Sequence, residues 1–178
     1  MRIFCYLSVI AVFFITPLCS MAAGYTNPDY GFDVDIDPEM KICTTPPPGS
    51  NHGFAALFRS DSCEAIYSQP RVDLFVQYNV LAEAKTTKEL SVETCGGAIR
   101  TGKRSAGVDV FKCRLKINGN LYQSRYFFLR PTSDEWNGNW VVFYVDLYTA
   151  TRPTEQDIKI VYTILDGIHW GSSTAEKK

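Results

Sequence analysis

The sequence predicts a single α+β domain, an antiparallel sheet flanked by a short central helix and a C-terminal amphipathic helix, with two disulfides. Period-2 alternation of apolar residues recurs in several short segments. Asn-Gly pairs punctuate the second half, as they do where hairpins form a meander. Only one late segment carries a long helical period.

Residues 1–22 are expected to be a cleaved signal peptide. Arg2 supplies a positive start, Ile3 to Leu18 is almost wholly apolar, and Ser20-Met21-Ala22 places small residues where a signal peptidase cuts. The apolar run is shorter than the roughly 20 residues of a spanning helix. Pro17-Leu18 stands where a lipidation site at Cys19 would need small residues. With Cys5 and Cys19 removed, Cys43, Cys63, Cys95 and Cys113 remain, an even set that places the expected mature protein in the periplasm or outside the cell. Residues 23–170 are one domain's length, and 171–178 form a polar tail. The formal net charge of −1 becomes −2 without Arg2, which argues against a general nucleic-acid binder. No second long apolar run follows, so stable membrane insertion is not expected.

Along the domain, Phe32, Val34 and Ile36 alternate with Asp33, Asp35 and Asp37, a strand with one wet face that Pro38 ends. Thr44 to Gly53 is a loop rich in Pro, Gly and Ser, and Phe54 to Phe58 a short apolar strand. Val72, Leu74, Val76, Tyr78 and Val80 alternate through a longer strand. Thr86-x-x-Glu89 then forms a capping box for a helix that Gly96-Gly97 stops. Asn118-Gly119 joins Val108–Ile117 to Leu121–Leu129. As a two-residue loop it sets Lys112 opposite Arg125 and Phe111 opposite Tyr126. One face then carries Phe111, Cys113, Leu115, Ile117, Tyr122 and Tyr126, and the other is basic: Lys112, Arg114, Lys116 and Arg125. Asn137-Gly138 leads to Val141–Thr149. After Pro153, Ile158, Val161, Tyr162 and Leu165 give an amphipathic helix that ends at Gly167 and lies across the sheet.

Four cysteines allow three pairings; closeness in sequence favours Cys43 with Cys63 and Cys95 with Cys113. A loop of about 20 residues closed in this way contributes roughly 3 kcal/mol. A zinc site would need Cys-x-x-Cys spacing, which is absent, or histidines beyond His52 and His169. No metal or cofactor is expected.

Catalytic motifs are scarce. Gly97 to Arg104 nearly matches a phosphate-binding loop, but Arg104 replaces the hydroxyl residue that holds magnesium. Asp33-x-Asp35-x-Asp37 begins like a calcium loop, yet Pro38 and Thr44 occupy positions that need Gly and Glu. Neither a Gly-x-Ser-x-Gly elbow nor a His-Glu-x-x-His helix occurs. A glycosidase would have to assemble its carboxylates from Asp134, Glu135 and Asp146. The expectation is therefore a non-enzyme.

Three surfaces qualify for partner binding. Ser50, Asn51 and His52 crown the loop from Pro46 to Gly53, which a Cys43–Cys63 bridge would tether. Trp136 and Asn137 sit at the second turn, where Trp136 is the better exposed anchor and Trp140 the better core residue. The third is the basic face, with Lys112, Arg114 and Arg125, suited to an acidic partner or an anionic envelope polymer.

An early "YGFDVDIDPEM" strand, a short helix ending in "CGG", an antiparallel meander and the closing helix "EQDIKIVYTILDGIHW" together resemble the PsbP-like fold across most of the domain. That resemblance implies a sheet flanked by helices and, in bacteria, largely non-enzymatic binding or chaperone roles. The chain is also similar in format to the small, exported, disulfide-bonded immunity proteins that neutralise effectors delivered by type VI secretion. The functional expectation is an exported inhibitor or immunity protein that occludes the active site of a protein partner. An envelope lipid or small-molecule carrier, or a secreted glycan hydrolase, is the alternative.

Overall fold

The computed structural model describes residues 23–44, 52–58, 62–64, 66–78, 84–131 and 140–170. Among these residues eleven strands and two α-helices follow one another as β1 (Ala23–Asn27), β2 (Phe32–Ile36), β3 (Lys41–Thr44), β4 (Gly53–Leu57), β5 (Arg71–Tyr78), α1 (Thr87–Cys95), β6 (Ile99–Ser105), β7 (Val108–Lys112), β8 (Lys116–Asn118), β9 (Leu121–Pro131), β10 (Trp140–Thr149), α2 (Glu155–Asp166) and β11 (Ile168–Trp170). A 3₁₀ turn, Ile66–Ser68, precedes β5. The large sheet runs β3-β4-β5-β10-β9-β7-β6, with β8 also paired to β9, and a small sheet runs β1-β2-β11. Every pairing is antiparallel. The expected α+β domain with a flanked antiparallel sheet and two disulfides is the observed one.

The large sheet has a core on each face. Phe54, Val72, Leu74, Tyr126, Phe128, Phe143 and Val145 meet the small sheet, through Phe32, Val34 and Ile36, and α2, through Val161, Ile164 and Leu165. Phe127, Leu129 and Val142 meet Leu90 of α1 on the opposite face. Apolar residues on both faces explain why β10 and the 126–129 part of β9 read as nearly continuous hydrophobic runs, whereas β2 alternates strictly between buried and exposed. Among the described residues no helix is long and apolar enough to cross a membrane.

Local chemistry sets both helices. Thr86 accepts from the Glu89 amide while the Glu89 carboxylate accepts from the Thr86 amide, and Gly96 closes α1 at φ 64°. In α2 the cap is Thr154, one residue after the expected proline, with Asp157 completing the box. β1, β3, β6 and β11 were not expected. β11 has three residues, too few for a period to register. β6, Ile99-Arg-Thr-Gly-Lys-Arg-Ser105, is an edge strand with mostly polar side chains, so it carries no apolar alternation.

The hairpin register departs from expectation. Asn118 pairs with Leu121, so the turn residues are Gly119 and Asn120, and only Gly119 has positive φ, 62°, as the first position of a type II′ turn requires. Phe111 opposes Phe127 and Lys112 opposes Tyr126. Between Lys112 and Lys116 the register advances by one residue, a bulge in the 113–115 stretch. A one-residue shift exchanges faces. Lys112 therefore turns to the α2 side, its Nζ 5.1 Å from the centre of the Tyr126 ring, where burial lowers its pKa. Arg125 stands on the α1 side, so the expected single basic face is divided.

The disulfides are Cys43–Cys63 and Cys95–Cys113, with Cα separations of 5.7 and 5.8 Å. The first ties β3 to the segment ahead of the 3₁₀ turn, and the second ties the last residue of α1 to the bulge. Replacing either pair by serines is expected to lower unfolding free energy by roughly 3 kcal/mol in urea titrations, with the two losses additive. A loss well below 1 kcal/mol would show that the bridge does not constrain the unfolded chain.

Candidate functional site

Strand alternation assembles a row of residues across the α1 side of the large sheet. Cys43 of β3 pairs with Ala55 of β4, Ala55 with Asp73 of β5, Asp73 with Asp146 of β10, and Asp146 with Arg125 of β9. The Cys113 amide then donates to the Arg125 carbonyl at 2.9 Å. A disulfide thus anchors each end of a row spanning five strand spacings, about 24 Å. The core under α1 is built on neighbouring rows, through Phe127, Leu129 and Val142.

Two ion pairs hold the middle of the row. Arg125 donates from Nε to Asp146 Oδ1 at 2.8 Å and from Nη2 to Oδ2 at 2.6 Å, and Gln123 Nε2 adds a third bond to Oδ2 at 3.0 Å. The bond to Asp146 raises the Arg125 pKa. Arg71 donates from Nε to both oxygens of Asp73, at 2.9 and 3.0 Å. Its Nη1 reaches the carbonyls of Ile66, Tyr67 and Gln69, and its guanidinium lies 3.9 Å from the centre of the Tyr148 ring. Arg71 is 4% exposed, so this one side chain fastens the 3₁₀ turn to the sheet.

Burial pushes the Asp73 carboxyl up; the hydrogen bond from Arg71 pulls it down, and the charge of Asp146 pushes it up again. Burial, then Asp146 and Asp73, raise the Tyr148 hydroxyl to about 12. Above the row opens a cleft of about 350 Å³ whose walls include His52, Tyr67, Asp73, Phe75 and Arg125. Tyr67 is 83% and Phe75 42% exposed, large apolar surfaces left facing solvent. Gly53 lets β4 approach closely, because a Cβ there would stand 1.9 Å from the Leu74 carbonyl oxygen.

His52 lies at the edge of this cleft. Its Nδ1 is 2.9 Å from the Val76 carbonyl and 2.6 Å from the Tyr30 hydroxyl, and its ring centre is 5.3 Å from that of Phe75. Burial raises the Tyr30 hydroxyl to about 12.

Of the residues singled out from sequence, the structure brings Cys43, His52, Arg125 and Asp146 to the cleft. Arg114 and Lys116 are exposed on the far side of Arg125, and Lys112 is on the other face. Ser50, Asn51, Trp136 and Asn137 lie outside the described residues, as do Asp134 and Glu135. Trp140 packs against the core beneath α1. Asp146, considered as a hydrolytic carboxylate, has Asp73 beside it and is gripped by Arg125. Sequence reasoning missed Arg71, Asp73, Tyr67 and Phe75. The signal was the complement of the β5 alternation: Arg71, Asp73, Phe75 and Gln77 share the face opposite Val72, Leu74 and Val76. Among the described residues no group of three or more His, Cys, Asp or Glu side chains is placed to hold a metal ion.

Asp146→Asn is expected to destabilise the protein by about 2 kcal/mol in urea titrations, less than a fully buried pair would cost because Arg125 keeps 34% of its side chain in solvent. The pH dependence has a definite sign at Asp73. Its folded-state value lies above the ordinary 3.8, so between the two the folded state binds more protons than the unfolded. The Asp73 contribution to stability is gained as pH falls through that window and lost as pH rises. Urea midpoints at pH 7 and pH 4.5 should show the wild type gaining relative to Asp73→Asn at the lower pH; the opposite slope would exclude a raised value.

No family model matches the chain, and no curated protein matches it.

Proposed function

We propose that this protein is an exported, non-enzymatic binding protein that inhibits a protein partner, acting as an immunity factor against a delivered effector by laying the open part of its large sheet across that effector's active cleft. One observation carries the reading: the charged row lies on an incompletely covered sheet face, held at both ends by disulfides, with Tyr67 and Phe75 exposed beside it.

A surface built on paired strands loses little conformational entropy on association, which favours tight binding. Aromatic side chains supply anchors with much area and few rotatable bonds. The row's two carboxylates are each held by an arginine, an arrangement suited to fixed recognition rather than proton exchange. The apolar leader and the even set of cysteines support export. The element order that resembles the PsbP-like fold fits a binding role.

Oxidised protein is expected to form a stoichiometric complex with an exported enzyme, suppress its activity, and protect cells that receive it. Phe75→Ala and Tyr67→Ala should each weaken the complex at least tenfold, about 1.4 kcal/mol, with little change in thermal midpoint. Absence of both a partner and protection would overturn the reading. A bound apolar ligand after native purification would favour a carrier.

A further inference from the structure

A second cavity, of about 260 Å³, adjoins the first. It is lined by Thr94 and Cys95 at the end of α1, by Cys113, Arg114 and Lys116 on the bulge and β8, and by Gln123 and Arg125 on β9. Arg125 lines both cavities, so its side chain is the partition between them. On one side stand the aromatic walls of Tyr67 and Phe75; on the other, three cations converge.

Among the described residues only Arg125 of the three is paired with an acid. Arg114 and Lys116 are exposed, and neither has an acidic partner among the described residues. Arg125 spends Nε and Nη2 on Asp146, while Nη1 has no protein acceptor among the described residues. Gln123, 2% exposed, gives an amide hydrogen to the same carboxylate, a third hydrogen bond on Asp146 besides the two from Arg125. The Cys95–Cys113 bridge forms one wall and fixes the end of α1 against the bulge. Local positive charge persists here in a chain whose overall net charge is −1.

We infer that the two cavities form one bipartite groove for an extended acidic segment of a protein partner, with a carboxylate between Arg114, Lys116 and Arg125 and an apolar side chain against Phe75 and Tyr67. The inference rests on the proposed inhibitory reading and names the chemistry of the partner's contact segment. A carboxylate accepts charge-assisted hydrogen bonds from guanidinium and ammonium groups together. β5, which bears Phe75, and β9, which bears Arg125, are two strand spacings apart, and Phe75 lies level with Phe127, two residues along from Arg125, so the diagonal is about 12 Å. An extended peptide covers that distance in about three to four residues. The two subsites therefore fit a carboxylate and an apolar side chain about three to four positions apart on one chain, a match that a free anion lacks.

The probe is the peptide acetyl-Phe-Gly-Gly-Glu-amide, titrated into the oxidised full domain and followed by amide NMR shifts. Saturable shifts are expected at Phe75, Thr94, Lys116 and Arg125. The Gln-terminated peptide should bind at least fivefold more weakly, as should the Glu peptide on Lys116→Glu. Lys159→Glu, on the outer face of α2, should change affinity less than twofold and so controls for net charge. Raising salt should weaken binding. No saturable shift, equal affinity for the Glu and Gln peptides, or an unaltered Lys116→Glu variant overturns the inference. Inorganic phosphate binding the same residues as tightly as the peptide also overturns it, in favour of a small-anion site. Failure here while a stoichiometric inhibited partner exists leaves the inhibitory reading standing, and peptide binding without any such partner removes that reading alone.

Discussion

The pairing of β9 with β10 is the constraint on which the rest of the molecule depends. Ten consecutive residue pairs join Trp140–Thr149 to Tyr122–Pro131, and β10 is also paired along its other edge to β5. Both faces of this unit are buried, one by α2 and the small sheet, the other in part by α1. Phe128 stacks on Phe143 at 4.7 Å, and Phe143 meets Phe32 of the small sheet and Trp170 of β11. A slip of one residue would exchange the two faces and turn Asp146 into the core beneath α2. The register is therefore specified by both cores together.

That same register creates the site. With Asp146 opposite Asp73 on one side and Arg125 on the other, charge of both signs is collected on the α1 side. Partly buried ion pairs add little net stability, because desolvation offsets attraction, yet breaking one leaves an uncompensated charge. Their stronger effect here is on geometry. The bidentate grip of Arg125 on Asp146 and the span of Arg71 from Asp73 to three backbone carbonyls leave few alternative positions for these groups. The disulfides act at the β3 edge and at the bulge between β7 and β8, where strand pairing is interrupted and fraying would otherwise begin.

Much of the fold was legible in the chain. Thr86-x-x-Glu89 and Gly96 bound α1 because capping depends on residues within one turn of each other. Val72, Leu74 and Val76 marked β5 because each strand face repeats every second residue. The site was less legible. Arg125 and His52 were identified by charge and scarcity, whereas Arg71 and Asp73 occupied the unremarked polar positions of a strand recognised by its apolar ones. Arg71 in particular reads as an ordinary surface residue until the turn at Ile66–Ser68 folds over it.

By itself the sequence determined the elements whose causes are local, the capped helices and alternating strands; it favoured the cysteine pairs closest in the chain and located a hairpin near Asn118-Gly119, but not its register. Tertiary structure alone decided strand order, the one-residue bulge in the 113–115 stretch, and the face on which each charge stands. Lys112 and Arg125 show the difference. They were expected to be neighbours on one basic face, but the bulge sends Lys112 over the Tyr126 ring and leaves Arg125 bonded to Asp146 on the other. Periodicity assigns residues to the same or opposite faces within a strand. The relation between strands is set by which arrangement buries both cores at once, a condition that involves residues far apart in the chain.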